Sequence, residues 1–336
     1  MSKVLLTGGT GCIGAATTHV LTAHDVDEVI IATRSGSEGM LKLWFPEKLD
    51  PRITLVKGDV SDGDRIQEVV HTHQPDRIIH LSAFQSPDCY AYPVRGMDIN
   101  VGGTLNLLNA AAGLGDRLKR FVFASSAAVY GPRSLYPAES VEETDPLAPP
   151  NLYGVWKVAG EHLARLFHEK TGVPTVCLRL NTTYGKGREK GKTSAPTAAM
   201  KAVALGHARG ETVPFRMPYF GRENYHYVGD VGAHFAACAL DPFAGFGAFN
   251  IRGKTVEVAK FLALIKQEAA ALGMLAAVDL GIAPDATSAL FVCDLDDSAI
   301  QAAFPGLPRT PLDIGIQRTL KTFGEMAGDG RLQGAV

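Results

Sequence analysis

The sequence predicts an α/β fold: a doubly wound parallel sheet followed by a smaller, loop-rich C-terminal lobe. Three observations carry this expectation. Short runs rich in β-branched residues recur at 3–6 (KVLL), 29–32 (VIIA), 53–56 (ITLV), 77–81 (RIIHL), 120–123 (RFVF) and 175–180 (TVCLRL). Segments of helical periodicity, such as Thr104 to Ala112 and Val155 to Phe167, lie between them. A glycine-rich turn follows the first run directly. Strands that are apolar on both faces and alternate with helices build a parallel sheet covered on both sides, which takes its ligand at the carboxyl ends of its strands.

The turn after the first strand reads Thr7-Gly8-Gly9-Thr10-Gly11-Cys12-Ile13-Gly14 and opens a helical segment. Glycines at 8, 11 and 14 let the backbone turn tightly, approach a pyrophosphate and pack the helix on the strand, with the helix N-terminus facing the phosphates. This is the mark of a Rossmann-type dinucleotide site. The second strand ends in Ala32-Thr33-Arg34-Ser35, with no acid where NAD sites usually place one for the ribose. Arg34 there favours NADP through its 2′-phosphate, unless it is a solvated surface residue. Asp59, in KGDV after the third strand, is either an adenine contact or an ordinary turn aspartate.

Residues 1–180 therefore form the expected dinucleotide-binding domain. From about 181 the pattern loosens through GKGREKGKTSAP (185–196), a helical stretch to about 206 and an aromatic loop, VPFRMPYFGRENYHYV (213–228). Segments 181–230 and 254–324 are expected to make the substrate-binding lobe. A helix at 231–240 and a strand AFNI (248–251) let the chain rejoin the first domain over about 231–253. The glycine-bearing end, 325–336, is expected to fray.

Composition narrows the partners. A net charge of −2 without a basic block gives no footprint for nucleic acid or an anionic membrane. No segment is apolar over the length of a membrane span, and no export signal is visible at the N-terminus, so a cytoplasmic protein with a small-molecule substrate is expected. The five scattered cysteines contain no CxxC pair, and the ten histidines no helical metal-ligand spacing, so neither a disulfide framework nor a metal site is expected. His80 is expected to pack at a strand end.

Tyr153-Gly154-Val155-Trp156-Lys157 sets a phenol and an ammonium four apart on one helical face. The ammonium favours phenolate, lowering a pKa that starts near ~10, so Tyr153 can exchange a proton with a carbinol or carbonyl oxygen. Upstream, ASSAAVYG (124–131) presents Ser126 at the carboxyl end of a strand, where its hydroxyl orients the same oxygen. With TGGTGCIG, GDV, HLSA, NVGGTLNLL, YGVWK, YHYVGDV and FNIRGK in order, the chain from Lys3 to about Phe323 resembles the extended short-chain dehydrogenase/reductase family, the NAD-dependent epimerase/dehydratase group. The resemblance implies that Tyr153 is the general acid/base, Lys157 its electrostatic partner and ribose ligand, and Ser126 the substrate-orienting hydroxyl. It implies that Gly8, Gly11, Cys12, Ile13, Gly14, Asp59, Val60, Leu81, Ser82, Ala83, Asn100 and Ser125 border the cofactor. Asn100 has a competing reading as a helix N-cap before VGGTLNLL.

Ala127 and Ala128 stand where family members that eliminate water carry an Asp-Glu pair, and where decarboxylating members keep a glutamate. Alanines move no protons, which leaves hydride chemistry. For nucleotide-sugar diphosphates the family commonly supplies an asparagine and arginines; here Thr182 and Glu223 take two of those places, and 278–294 holds no arginine. The expected function is an NAD(P)-dependent oxidoreductase acting on a secondary alcohol or carbonyl of a sugar, sugar acid, lactone or aldehyde. A sugar epimerase working by transient oxidation is the alternative. Phe84, Ser86, Thr182, Thr183, Tyr219, Phe220 and Arg222 are the candidate substrate residues, with Phe84 and Phe220 equally readable as core. Lys186, Arg188, Lys190 and Lys192 read as a solvated loop. The family commonly dimerises through the Tyr153 helix, so a homodimer is expected; Leu163, Leu166 and Phe167 face either a partner or the sheet.

Overall fold

In the computed structural model, which describes residues 2–289 and 291–332, the β-branched runs become the middle of a parallel sheet. The strands are β1 (Lys3–Thr7), β2 (Glu28–Thr33), β3 (Ile53–Lys57), β4 (Arg77–His80), β5 (Arg120–Ser126), β6 (Thr175–Leu180), β7 (Thr182–Tyr184), β8 (Phe215–Phe220), β9 (Arg222–Tyr227), β10 (Phe246–Asn250), β11 (Lys254–Glu257) and β12 (Leu280–Ser288). Seven of them pair in the order β10-β6-β5-β4-β1-β2-β3, every neighbour parallel. The chain winds outward from β1 to β3, then crosses back to β4. The reversal between β1 and β4 opens a crevice at the carboxyl ends of those two strands.

Alternate side chains explain why both faces of the strands are apolar. Val4, Leu6, Val29 and Ile31 pack with Ala15 and Leu21 of helix Cys12–Thr22 and with Val231 and Phe235 of helix Val228–Leu240. Leu5, Ile30 and Ile78 point the other way, into Ile66 and Val69 of helix Gly63–His73, Leu107 and Leu108 of helix Gly103–Ala112, and Ala164 and Phe167 of helix Leu152–Thr171.

The chain divides into two compact units. The first comprises the residues up to Leu180 with Gly229–Ile251 and Leu295–Pro308; the second comprises Asn181–Val228, Arg252–Asp294 and the segment from Arg309. Residues 295–308, read from sequence as part of the second lobe, belong to the first because Ile300 and Phe304 are buried in its core. Phe304 stacks on Phe243 at 5.3 Å between ring centroids.

The second unit is more regular than its sequence suggests. The expected aromatic loop at 213–228 is two strands, β8 and β9, separated by Gly221 at φ +90°. β9 lies between β11 and β7, and β8 pairs with β12. β9 does not alternate: it buries four consecutive residues, Glu223 to His226, so period-two reasoning overlooks it. The tail expected to fray from 325 instead completes helix Leu312–Gly328, whose buried Ile316, Leu320, Phe323 and Met326 form an apolar stripe. Leu332 is also buried; residues 333–336 lie outside the described residues. Among the described residues no helix is long and apolar enough to cross a membrane.

A buried ion pair ties the first unit together. Arg179 of β6 forks onto Glu161 of helix Leu152–Thr171, Nε to Oε1 at 2.9 Å and Nη2 to Oε2 at 2.8 Å. Its remaining Nη1 donates to the Tyr130 hydroxyl at 2.6 Å, which donates to Asn250 Oδ1 of β10 at 2.8 Å. Ser125 of β5 donates to Glu161 Oε1 at 2.5 Å. Removing one partner strands a charge away from water, a loss of about 3–5 kcal/mol. Arg179→Met is expected to lower the urea unfolding midpoint accordingly with the slope of the transition unchanged; a variant within ~0.5 kcal/mol of wild type would show that the pair carries no such load.

Candidate active site

The glycine turn is shaped by close approaches. Gly8 holds φ +74°, and a Cβ there would lie 2.8 Å from Ser82 N; a Cβ on Gly14 would lie 2.3 Å from Gly8 O. Gly11 closes the turn by donating to Gly8 O at 3.0 Å. Helix Cys12–Thr22 starts without a side-chain cap and without an acid in its first turn, so its leading amides remain available to an anion. Gly11, Cys12, Ile13 and Gly14 all lie at this end. The loop after β4 runs against it: Leu81 donates to Thr7 O at 3.0 Å, and Ser82 and Ala83 follow directly. A cradle that any Cβ would fill, ending on bare helix amides, fits a dinucleotide pyrophosphate.

The flanks of the cradle are more mixed. Arg34 is exposed just beyond β2. Asp59 takes the Ser61 amide and hydroxyl at 3.0 and 2.8 Å and pairs with Arg95 at 3.3 Å. Burial raises its carboxyl, but the Ser61 bonds with Arg95 and Arg34 outweigh that and hold it below the usual range. Val60 is buried against Gly103. His80 bridges Thr7 at 2.6 Å and Thr104 at 3.0 Å, and burial, with Lys157 near, pushes it down to about 3, so it stays neutral.

Asn100 is not the N-cap its sequence position allowed. A widened, π-helical turn at Asp98–Gly102 runs straight into helix Gly103–Ala112, so no helix begins there. The buried side chain clamps the loop after β4 instead: Oδ1 accepts from Phe84 N at 2.7 Å and Nδ2 donates to Phe84 O at 3.0 Å. Phe84 itself packs half-buried on the core, and Ser86 opens helix Ser86–Ala91. Ser125, expected beside the cofactor, donates its hydroxyl to Glu161, which leaves that oxygen only as an acceptor.

Tyr153 and Lys157 lie on helix Leu152–Thr171, whose N-cap Asn151 accepts from Gly154 N at 3.0 Å. Lys157 Nζ donates to Ala124 O of β5 at 2.6 Å and lies 5.6 Å from the Tyr153 ring centroid. Burial lowers this ammonium to about 8, against the opposing pull of Cys89, Glu161 and Cys177. Two residues past Ala124, Ser126 closes β5, its hydroxyl accepting from Ala128 N at 3.2 Å. Gly154 is the residue that sequence reasoning passed over: a Cβ there would sit 2.1 Å from Ala128 O, so only glycine lets the helix press on the Ala127–Val129 turn. Ala127 and Ala128 are both fully buried.

The other candidates lie in the second unit. Thr182, Thr183 and Tyr219 are buried, whereas Phe220 is 46% exposed, which removes its reading as core. Arg222 is exposed and pairs with Asp294 at 2.9 Å. Glu223, beside them, is buried without a cation partner. Burial pushes its carboxyl up to about 7, the Asn224 amide and Thr182 hydroxyl opposing. A raised folded pKa makes the protonated form the stable one: that stability is complete below the unfolded value near 4.5 and lost as pH rises through about 7. Tyr219, Tyr225 and Cys293 nearby are themselves pushed upward and stay neutral over this range. Glu223→Gln is therefore expected to melt increasingly above wild type between pH 5 and pH 8.5; a difference independent of pH would contradict this.

Comparison with known proteins agrees with this geometry. Residues 4–252 match the NAD dependent epimerase/dehydratase family. A UDP-glucose 4-epimerase of Halalkalibacterium halodurans is 28% identical over 282 residues, 79% of each chain. A Thermotoga maritima UDP-glucose 4-epimerase structure with UDP-glucose superposes with a TM-score of 0.80 at 22% identity, covering 96% of this chain and 99% of that one. The Thermus thermophilus UDP-glucose 4-epimerase complex with NAD gives 0.75 at 24%, covering 96% and 98%. The chain belongs to the NAD-dependent epimerase/dehydratase family of extended short-chain dehydrogenase/reductases, and is an NAD-dependent enzyme.

Proposed function

We propose that the protein is a sugar epimerase that inverts a carbinol through a transient ketone, with Ser126, Tyr153 and Lys157 as its catalytic residues. The observation that carries this reading is the Lys157 ammonium, bonded to Ala124 O and set under the Tyr153 ring at the end of the strand bearing Ser126. Ser126 orients the reacting oxygen of the substrate. Tyr153 accepts its proton and later returns it, the nearby ammonium favouring the phenolate. Bound NAD supplies a reversible hydride acceptor; Gly8, Gly11 and Gly14 with the amides of helix Cys12–Thr22 hold its pyrophosphate. NAD is favoured over the NADP expected from Arg34 because NAD is the dinucleotide named with the similar solved structures, such as the Thermus thermophilus epimerase. The epimerase names of the similar proteins support the same choice.

Tyr153→Phe is expected to lower kcat at least ~100-fold with the fold intact. An epimerase purifies with dinucleotide retained and shows no net absorbance change at the reduced-nicotinamide band during turnover. Steady consumption of added cofactor would replace this reading with the second one, net oxidation or reduction of a small polar substrate. That reading is favoured by the uncompensated carboxyl of Glu223 where a diphosphate would need cations.

Two copies are proposed to pair through the apolar face of the neighbouring helices. Val94 is 72% exposed and Leu166 53%, with Met97, Leu105 and Val155 also exposed, whereas Phe167 is core and Leu163 packs against it. Leu166→Glu with Val155→Glu is expected to convert a dimer to a monomer in light-scattering chromatography; a wild-type monomer would refute the pairing.

A further inference from the structure

His80 joins pieces of the dinucleotide site that are far apart in sequence. It closes β4 opposite Thr7, the last residue of β1 and the first of the glycine turn. Thr7, His80 and Thr104 are all buried, and the bonds between them run in one direction. The imidazole is neutral, so one ring nitrogen donates and the other accepts. A hydroxyl carries one proton, and Thr104 donates its own to Asn100 O at 2.7 Å. Thr104 therefore meets His80 Nε2, 3.0 Å away, as an acceptor, which puts the imidazole proton on Nε2. Nδ1 is left bare and accepts from the Thr7 hydroxyl at 2.6 Å. The Thr7 oxygen in turn accepts from Ser82 N at 3.5 Å.

Both ends of this relay are backbone that borders the cofactor cradle. Thr7 leads into Gly8, where a Cβ would lie 2.8 Å from Ser82 N, so the turn and the loop after β4 meet without slack. At the far end Asn100 grips Phe84 by its backbone N and O. The opposite tautomer would leave Nε2 facing a hydroxyl whose proton already serves Asn100 O, and the relay would break there. We propose that His80, as its Nε2–H tautomer, is a positioning residue for the dinucleotide, locking the glycine turn to the loop at 81–84. The role rests on the dinucleotide cradle and is independent of which reaction the bound cofactor serves.

Long-range proton–nitrogen NMR spectra of the full chain near neutral pH read the tautomer, with His80 assigned by its loss in His80→Asn. The expected pattern is a protonated Nε2 and a bare Nδ1; the reverse pattern, or an imidazolium, would overturn the proposal. Titration calorimetry with NAD and with NADP, on the full chain freed of bound dinucleotide, reads the positioning. His80→Leu is expected to weaken the better-bound dinucleotide about tenfold. In His80→Asn the side-chain oxygen takes the place of Nδ1 and accepts from Thr7, so most of that loss is expected to be recovered. Thr7→Val removes the same bond from the other side; it is expected to match His80→Leu and carries the comparison should His80→Leu fail to fold. Folded variants that bind within about twofold of wild type, whatever their melting temperatures, would reduce His80 to core packing and overturn the proposal. So would His80→Asn binding no tighter than His80→Leu. The readouts are a spectrum and an affinity, so failure of the epimerase reading is seen separately, as net consumption of cofactor.

Discussion

The fork between Arg179 and Glu161 is the constraint on which the rest of the first unit depends. It joins the helix that carries Tyr153 and Lys157 to β6, and through Tyr130, Asn250 and Ser125 to β10 and β5. An isolated buried charge is untenable, so every member must keep its place. Helix position along the sheet is thereby set from inside the core. Lys157, one turn before Glu161, meets Ala124 O as a consequence.

Small residues then bring the helix close enough for chemistry. Gly160 passes over the Phe123 ring, where a Cβ would lie 2.4 Å from Cζ, and Gly154 rides on Ala128 O. The two alanines consequently have a packing role beside their chemical one. They are fully buried under this contact and carry none of the carboxyl groups that elimination or decarboxylation is expected to use. Restricting the site to hydride chemistry and seating the catalytic helix are, on this account, one arrangement.

The sheet was legible because its strands are apolar on both faces, and a parallel sheet covered by helices is the arrangement that buries both. The glycine turn and the Tyr153–Lys157 spacing were legible for a related reason: each is a local pattern with one geometric outcome. The role of Asn100 was not, because a π-helical turn shifts which backbone groups its side chain can reach, and nothing at 98–102 announces the extra residue. The bond from Ser125 to Glu161 was not legible either, because the two are 36 residues apart. β9 was hidden by polar residues, Glu223 and Asn224, buried in consecutive positions. Polar residues buried for function or specificity are where hydrophobic patterning fails.

The second unit differs from the first in what it buries: a carboxyl, Glu223, held by the Asn224 amide and the Thr182 hydroxyl rather than by a cation. Substrate choice is expected to lie there, and reaction type with Ser126, Tyr153 and Lys157. The most direct test of the central claim uses a sugar substrate deuterated at the reacting carbon, turned over by the protein as purified with no dinucleotide added. The account predicts product of inverted configuration with deuterium retained at that carbon. Product that has exchanged its deuterium for solvent hydrogen would contradict it.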